Sequence, residues 1–83
     1  MYFVYIIECE DGSLYTGFTD DLNARFEKHK SGKGAKYTRS HKPKKIVFSE
    51  KHVKKIIAQR IEWDIKNLTR EEKIEFINQN KSG

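Results

Sequence analysis

Tyr2-Phe3-Val4-Tyr5-Ile6-Ile7-Glu8-Cys9, then Glu10-Asp11-Gly12, then Ser13-Leu14-Tyr15-Thr16-Gly17-Phe18-Thr19: this opening stretch decides the fold. Its outer runs are rich in aromatic and β-branched residues, and an Asp-Gly pair lies between them. That composition predicts a β-hairpin turning at Asp11-Gly12. Thr19 or Asp20 is expected to cap the helix that follows, with Asp20 and Asp21 complementing its dipole and Leu22 and Phe26 on its buried side. Gly32 and Gly34 end that helix and open a basic loop, Lys33 to Lys45, around the one proline, Pro43. Ile46-Val47-Phe48-Ser49-Glu50 reads as a third strand. Val53, Ile56, Ile57, Ile61, Ile65 and Leu68 then recur at helical spacing and are expected to be the buried stripe of a long helix. Thr69-Arg70-Glu71-Glu72 has the form of a capping box and starts a last helix, docked through Ile74 and Ile77. The expected order is β-β-α-β-α-α, an α+β fold with a central three-stranded, mainly antiparallel sheet and flanking helices.

A chain of 83 residues with 36% hydrophobic content has material for one core, so one domain is expected over 1–83, its core about 2–78 and a frayed tail from Asn80. No apolar run approaches the roughly 20 residues of a membrane span, and the first residues lack the charge of a secretory signal. A cytoplasmic monomer with no membrane association is expected. Cys9 is the only cysteine, which excludes an internal disulfide and a thiolate zinc cluster. His29, His41 and His52 are too far apart in sequence to form a local metal motif. From Lys28 to Lys55 there are eleven lysines and arginines against one acid, Glu50, a net charge of +10 in a chain whose total is +5. A block of that density suits a polyanion, because each phosphate neutralised releases counterions. A solvated lysine-rich face is the alternative.

Val4-Tyr5-Ile6 and Tyr15-Thr16-Gly17 on the two hairpin strands resemble the paired signatures of the GIY-YIG nucleases. The resemblance extends through Leu22-Asn23-Ala24-Arg25, His29, the run Ser31 to Arg39 and Glu62, and covers Tyr2 to about Lys73. It points to the small single-domain bacterial branch of that superfamily and implies the fold already derived. It also implies roles. Tyr5 and Tyr15 match the signature tyrosines, Arg25 the arginine facing the scissile phosphate, and His29 a conserved histidine. Glu62 matches the carboxylate holding one Mg²⁺ or Mn²⁺, and Gly17 the glycine beside which substrate backbone passes. The implied activity is metal-dependent endonucleolytic hydrolysis of nucleic acid, DNA favoured over RNA, in repair or processing. A binding module without turnover and a small interaction domain are the rival classes.

The chemistry of these residues is compatible with that activity. Arg25 and His29 are four apart on one helix and project from one face. A guanidinium keeps its charge and offers forked donors to a phosphate. Glu62 could hold Mg²⁺ with water completing the shell; apolar periodicity alone turns it toward solvent, and Asp64 is a fallback ligand. A tyrosine acting as base must overcome a pKa near 10, whereas histidine starts near 6.5. Tyr5, Tyr15 and His29 therefore all stand as candidate bases. Lys33, Lys36, Tyr37, Arg39, Lys42, Lys44 and Lys45 are expected to clamp the nucleic-acid backbone, Tyr37 either contacting it or anchoring its own loop.

Overall fold

The computed structural model describes residues 1–80; the end of the expected tail, residues 81–83, lies outside them. Strands β1 (Tyr2–Cys9) and β2 (Leu14–Thr19) form the expected antiparallel hairpin, with Tyr5 opposite Gly17 and Ile7 opposite Tyr15. Gly12 adopts φ 84°, a left-handed conformation that glycine enters without steric cost. The Asp11 carboxylate accepts hydrogen bonds from the Ser13 N–H and hydroxyl and so braces the turn. Helices α1 (Leu22–Lys30) and α2 (Lys36–Ser40) follow, then strand β3 (Pro43–His52) and helices α3 (Lys55–Lys66) and α4 (Arg70–Gln79). β3 pairs antiparallel with the other side of β1, so the sheet runs β2-β1-β3 and β1 is central. The β-β-α-β-α-α order holds, with the five-residue α2 set into the predicted loop.

Successive side chains of a strand point to opposite faces, and β1 therefore builds two cores. Val4 and Ile6 pack with Phe48, Ala58, Ile65 and Ile77 on the side of α3 and α4. Tyr5, Ile7 and Cys9 pack on the other side, against Tyr15, Leu22, Phe26 and Ile46. Burial on both faces explains why the strand reads as a nearly continuous apolar run, Tyr2 to Ile7, before Glu8.

Four details differ from the sequence expectations. The cap of α1 is Asp21, whose carboxylate accepts from the Ala24 N–H, and Thr19 braces it by accepting from the Asp21 N–H. β3 starts at Pro43, so Pro43, Lys44 and Lys45 belong to a strand and not to the loop. An edge strand tolerates proline at its first position because the missing N–H removes no interior ladder bond. The inward face of α3 is Ala58, Ile61, Glu62 and Ile65, while Val53 and Ile56 are 74% and 73% exposed and Ile57 is exposed too. The largest apolar residues misled because the close approach to the sheet is made at a small one, Ala58, which is fully buried. α4 has its complete capping box, Thr69 with Glu72. Its docking residues, however, are Ile77 and Phe76, the latter edge-on to Phe48 at 4.9 Å, whereas Ile74 is largely exposed.

Candidate active site

The second core has a polar centre. The Tyr5 hydroxyl lies 2.8 Å from His29 Nε2, and His29 Nδ1 lies 2.7 Å from Thr38 Oγ1. All three residues are buried: Tyr5 and Thr38 are 2% exposed and His29 is not exposed at all. Thr38 Oγ1 donates to the Ala35 carbonyl at 3.0 Å. With its one proton spent there, the threonine oxygen can only accept from His29 Nδ1–H. That leaves a lone pair on Nε2, and the Tyr5 hydroxyl donates to it. The Ala35 N–H also approaches Nδ1, at 3.5 Å, a separation too long to outweigh the shorter bond. Tyr5, His29 and Thr38 thus form a directed chain of donors that ends on the Ala35 carbonyl as acceptor.

Glycines create the space for it. Gly17 sits directly across the hairpin from Tyr5, and a Cβ there would come within 2.6 Å of the Tyr5 hydroxyl. A larger residue at Gly17 would therefore strike the tyrosine before any substrate. A Cβ at Gly34 would land on His29 Nδ1 and lie 2.9 Å from the His29 Cα. Tyr15 completes the wall, its ring edge-on to His29 at 5.2 Å and tilted against Tyr5 at 6.4 Å.

Burial controls the charge states. Desolvation raises the Tyr5 phenol to about 12, partly offset by the Arg25 guanidinium beside it, while Tyr15 and Glu62 push it up further. Desolvation also pushes the His29 imidazole down to about 4, with the Arg25 charge adding to it. His29 therefore loses the head start that its ordinary pKa near 6.5 suggests. Near neutral pH the pair is a phenol and a neutral imidazole, as its hydrogen bonding requires.

The other predicted residues fall into two groups. Arg25, half-buried on α1, and Glu62, on α3, both lie within charge range of Tyr5. Glu62 is not turned to solvent: its side chain is 17% exposed and pairs with Lys66 at 3.3 Å. It comes from the helix packed on the opposite face of the sheet, so the cluster draws on both layers. Asp64 points away, exposed and paired with Arg60. Of the clamp residues, Tyr37 is nearest, stacked on Tyr15 at 5.8 Å and on His41 at 4.2 Å. Lys36 and Arg39 are on α2, with Lys33 and Lys42 in the flanking loops, all exposed. Lys44 is on β3 and exposed. Lys45 lies on the α4 side of the sheet with Glu8, away from the tyrosines. Sequence reasoning missed Thr38, Ala35 and Gly34 as functional positions. The available signal was a set of uncharged residues, Gly34-Ala35 and Thr38, inside an otherwise basic segment.

The model of the GIY-YIG catalytic domain matches residues 1–75. The chain belongs to the GIY-YIG family. It is 49% identical over 76 residues to UPF0213 proteins of Staphylococcus epidermidis and Staphylococcus aureus, matches that span 92% of this chain and 93% of theirs. It is also similar to the solution NMR structure of the UPF0213 protein of Bacillus halodurans, with 44% identity and a TM-score of 0.64, covering 96% of this chain and 86% of that one. The family is one of endonucleases, which act on nucleic acid and generally use a divalent metal. Among the described residues no group of three or more His, Cys, Asp or Glu side chains could cage an ion, and no helix is long and apolar enough to cross a membrane. A lone carboxylate near the tyrosines, with only Lys66 on one oxygen, fits a hard ion that takes its remaining ligands from water and substrate phosphate.

Proposed function

We propose that this GIY-YIG domain hydrolyses phosphodiester bonds of DNA as a metal-dependent endonuclease, with Tyr5 and His29 as a two-residue proton relay. The observation that carries this reading is the 2.8 Å hydrogen bond from the Tyr5 hydroxyl to His29 Nε2, made beside Arg25 and Glu62. His29 is fully buried and lies behind the Tyr5 hydroxyl in the hydrogen-bonded pair, so on this reading the tyrosine oxygen is the one that meets the attacking water when substrate is bound. As the water oxygen bonds to phosphorus, its proton passes to Tyr5 Oη while the tyrosine proton moves to His29 Nε2. The sugar oxygen leaves and takes up a proton from solvent. The resulting imidazolium keeps its other N–H on Thr38. Concerted transfer avoids a free phenolate, which burial opposes; the imidazolium it forms, which burial and Arg25 also disfavour, is short-lived and gives its proton back through Tyr5 after cleavage. Arg25 neutralises the non-bridging oxygens, and Glu62 would hold Mg²⁺ or Mn²⁺. A bound ion would supply Lewis-acid stabilisation of the charge developing on the phosphoryl group.

The experiment is cleavage of labelled single-stranded, duplex, flap and junction DNA, and matched RNA, with Mg²⁺ or Mn²⁺, by wild type and Glu62→Ala. The expected result is metal-dependent cutting of DNA that EDTA or the substitution abolishes while binding persists. Salt-sensitive binding with no cutting of any substrate would favour a module that kept the fold and lost turnover.

A further inference from the structure

A cleft of about 270 Å³ opens between the hairpin turn, α2 and α4, lined by Ser13, Leu14, Tyr37, Arg70 and Lys73. Its lining holds two cations and no carboxylate. Among the described residues neither Arg70 nor Lys73 forms an ion pair. Arg70 is fixed by donating from Nη1 to the Gly12 carbonyl at 2.8 Å, and a guanidinium so held still has further N–H donors to offer. Lys73 is half-buried, and burial together with the nearby Lys66 ammonium lowers its pKa. Lys66 is already paired with Glu62, whereas a partly desolvated ammonium such as Lys73 is costly without an anion. The cleft also adjoins the active site, because the Tyr37 ring that lines it stacks on Tyr15, and Tyr15 meets His29.

The geometry points to a phosphate seat: Arg70 and Lys73 hold a phosphate of the nucleic-acid strand that is being cut, one flanking the scissile bond. The seat rests on the nuclease reading for its substrate but lies outside the signature residues and outside the basic block. It gives a substrate strand a second fixed point, across Tyr37 from the relay, and so helps set which bond meets Tyr5.

The test measures binding in EDTA, where nothing is cut. Wild type, Lys73→Gln and the double variant Arg70→Gln/Lys73→Gln are titrated with a fluorescent oligodeoxynucleotide over a range of salt. Arg60→Gln, which removes one charge from the exposed surface of α3 outside the basic block, serves as the control for Lys73→Gln. The expected result is binding about tenfold weaker in the seat double variant, with a salt slope shallower by about one. Lys73→Gln alone, which breaks no hydrogen bond of the fold, shifts affinity in the same direction and by more than the control. Equal losses in Lys73→Gln and Arg60→Gln, or no loss in either, overturn the seat while leaving the nuclease reading standing. Absence of binding by wild type overturns both. Amide NMR shifts at Gly12, Ser13 and Lys73 are followed with inorganic phosphate and with 5′-phosphorylated and 5′-hydroxyl oligonucleotides. Equal responses to the two oligonucleotides assign the seat to a backbone phosphate, and a response needing the 5′-phosphate assigns it to a strand end. No response at these amides to any of the three overturns it.

Discussion

The two faces of one small sheet do opposite work. On the α3 and α4 side, Val4, Ile6, Phe48, Ala58, Ile65 and Ile77 make an apolar core whose atoms need only fit together. On the α1 and α2 side, Tyr5, His29 and Thr38 bury polar groups that hold together through a directed hydrogen-bond chain, in space created by Gly17 and Gly34. Burial of apolar area is non-directional and tolerant of detail. A buried polar network is costly unless each member is satisfied. The first face therefore needs only close packing, and the second holds the Tyr5–His29 pair in one protonation state near neutral pH.

Several substitutions should separate the faces. Ile65→Ala removes a buried side chain from the apolar face and is expected to cost about 2–5 kcal/mol of stability. Cleavage per folded molecule should stay within about twofold, since Ile65 touches none of the relay; denaturant melts and single-turnover rates check both halves. Gly17→Ala drives a methyl into the Tyr5 hydroxyl, with an expected stability cost of about 1–3 kcal/mol. Its rate should fall by about a hundredfold, the scale of a displaced proton-transfer group. If Gly17→Ala is as stable as wild type but binds DNA poorly, the glycine is serving substrate approach instead.

Thr38→Val keeps the shape of the side chain and removes its oxygen. The expected cost is about 1–2 kcal/mol, in the lower part of the range for an orphaned buried donor. It is low because His29 can move its proton to Nε2 and accept from the Ala35 N–H, already 3.5 Å away. The imidazole would then donate to Tyr5 and could no longer receive its proton. Imidazole ¹⁵N shifts should report the exchanged tautomer, cleavage should fall at unchanged DNA affinity, and Thr38→Ser should restore both.

A pH dependence should show the same burial without any substitution in the relay. The unfolded chain protonates His29 near its ordinary 6.5, the folded chain only near about 4. Between those values the unfolded state holds more protons, so this contribution to stability is complete above pH 6.5 and is lost as the pH falls toward 4. Thermal melts of wild type and His29→Gln across that window should show the steeper decline in wild type. Parallel declines would mean that the imidazole titrates normally in the folded chain.

The same contrast explains what could be read from sequence. The hairpin was legible because Asp11-Gly12 has few alternatives to a turn, and the last helix because Thr69 and Glu72 cap it locally. The tyrosines, Arg25, His29 and Glu62 were found through their resemblance to a family, and the structure brings all five into one neighbourhood. Apolar periodicity placed Ile61 and Ile65 of α3 correctly but failed at Val53, Ile56 and Ile57, because the inner face uses Ala58 and admits Glu62. The phase of a helix against a sheet is set by close approach as well as by hydrophobicity. Thr38 and Gly34 stayed hidden for a related reason: their roles are defined only against His29, nine and five residues away, once α1 and α2 are folded together. Nor could the sequence show that burial lowers the histidine and raises the tyrosine, since desolvation is a property of the assembled core.

The most direct test of the relay is single-turnover cleavage by Tyr5→Phe, which deletes one oxygen and leaves the ring in place. The relay predicts a rate per folded molecule lower by about 10²–10⁴-fold, with DNA affinity close to that of wild type and a stability loss of about 1–2 kcal/mol from the His29 Nε2 left without its donor. A Tyr5→Phe enzyme that cuts within about threefold of wild type would show that the proton leaves the attacking water by another route.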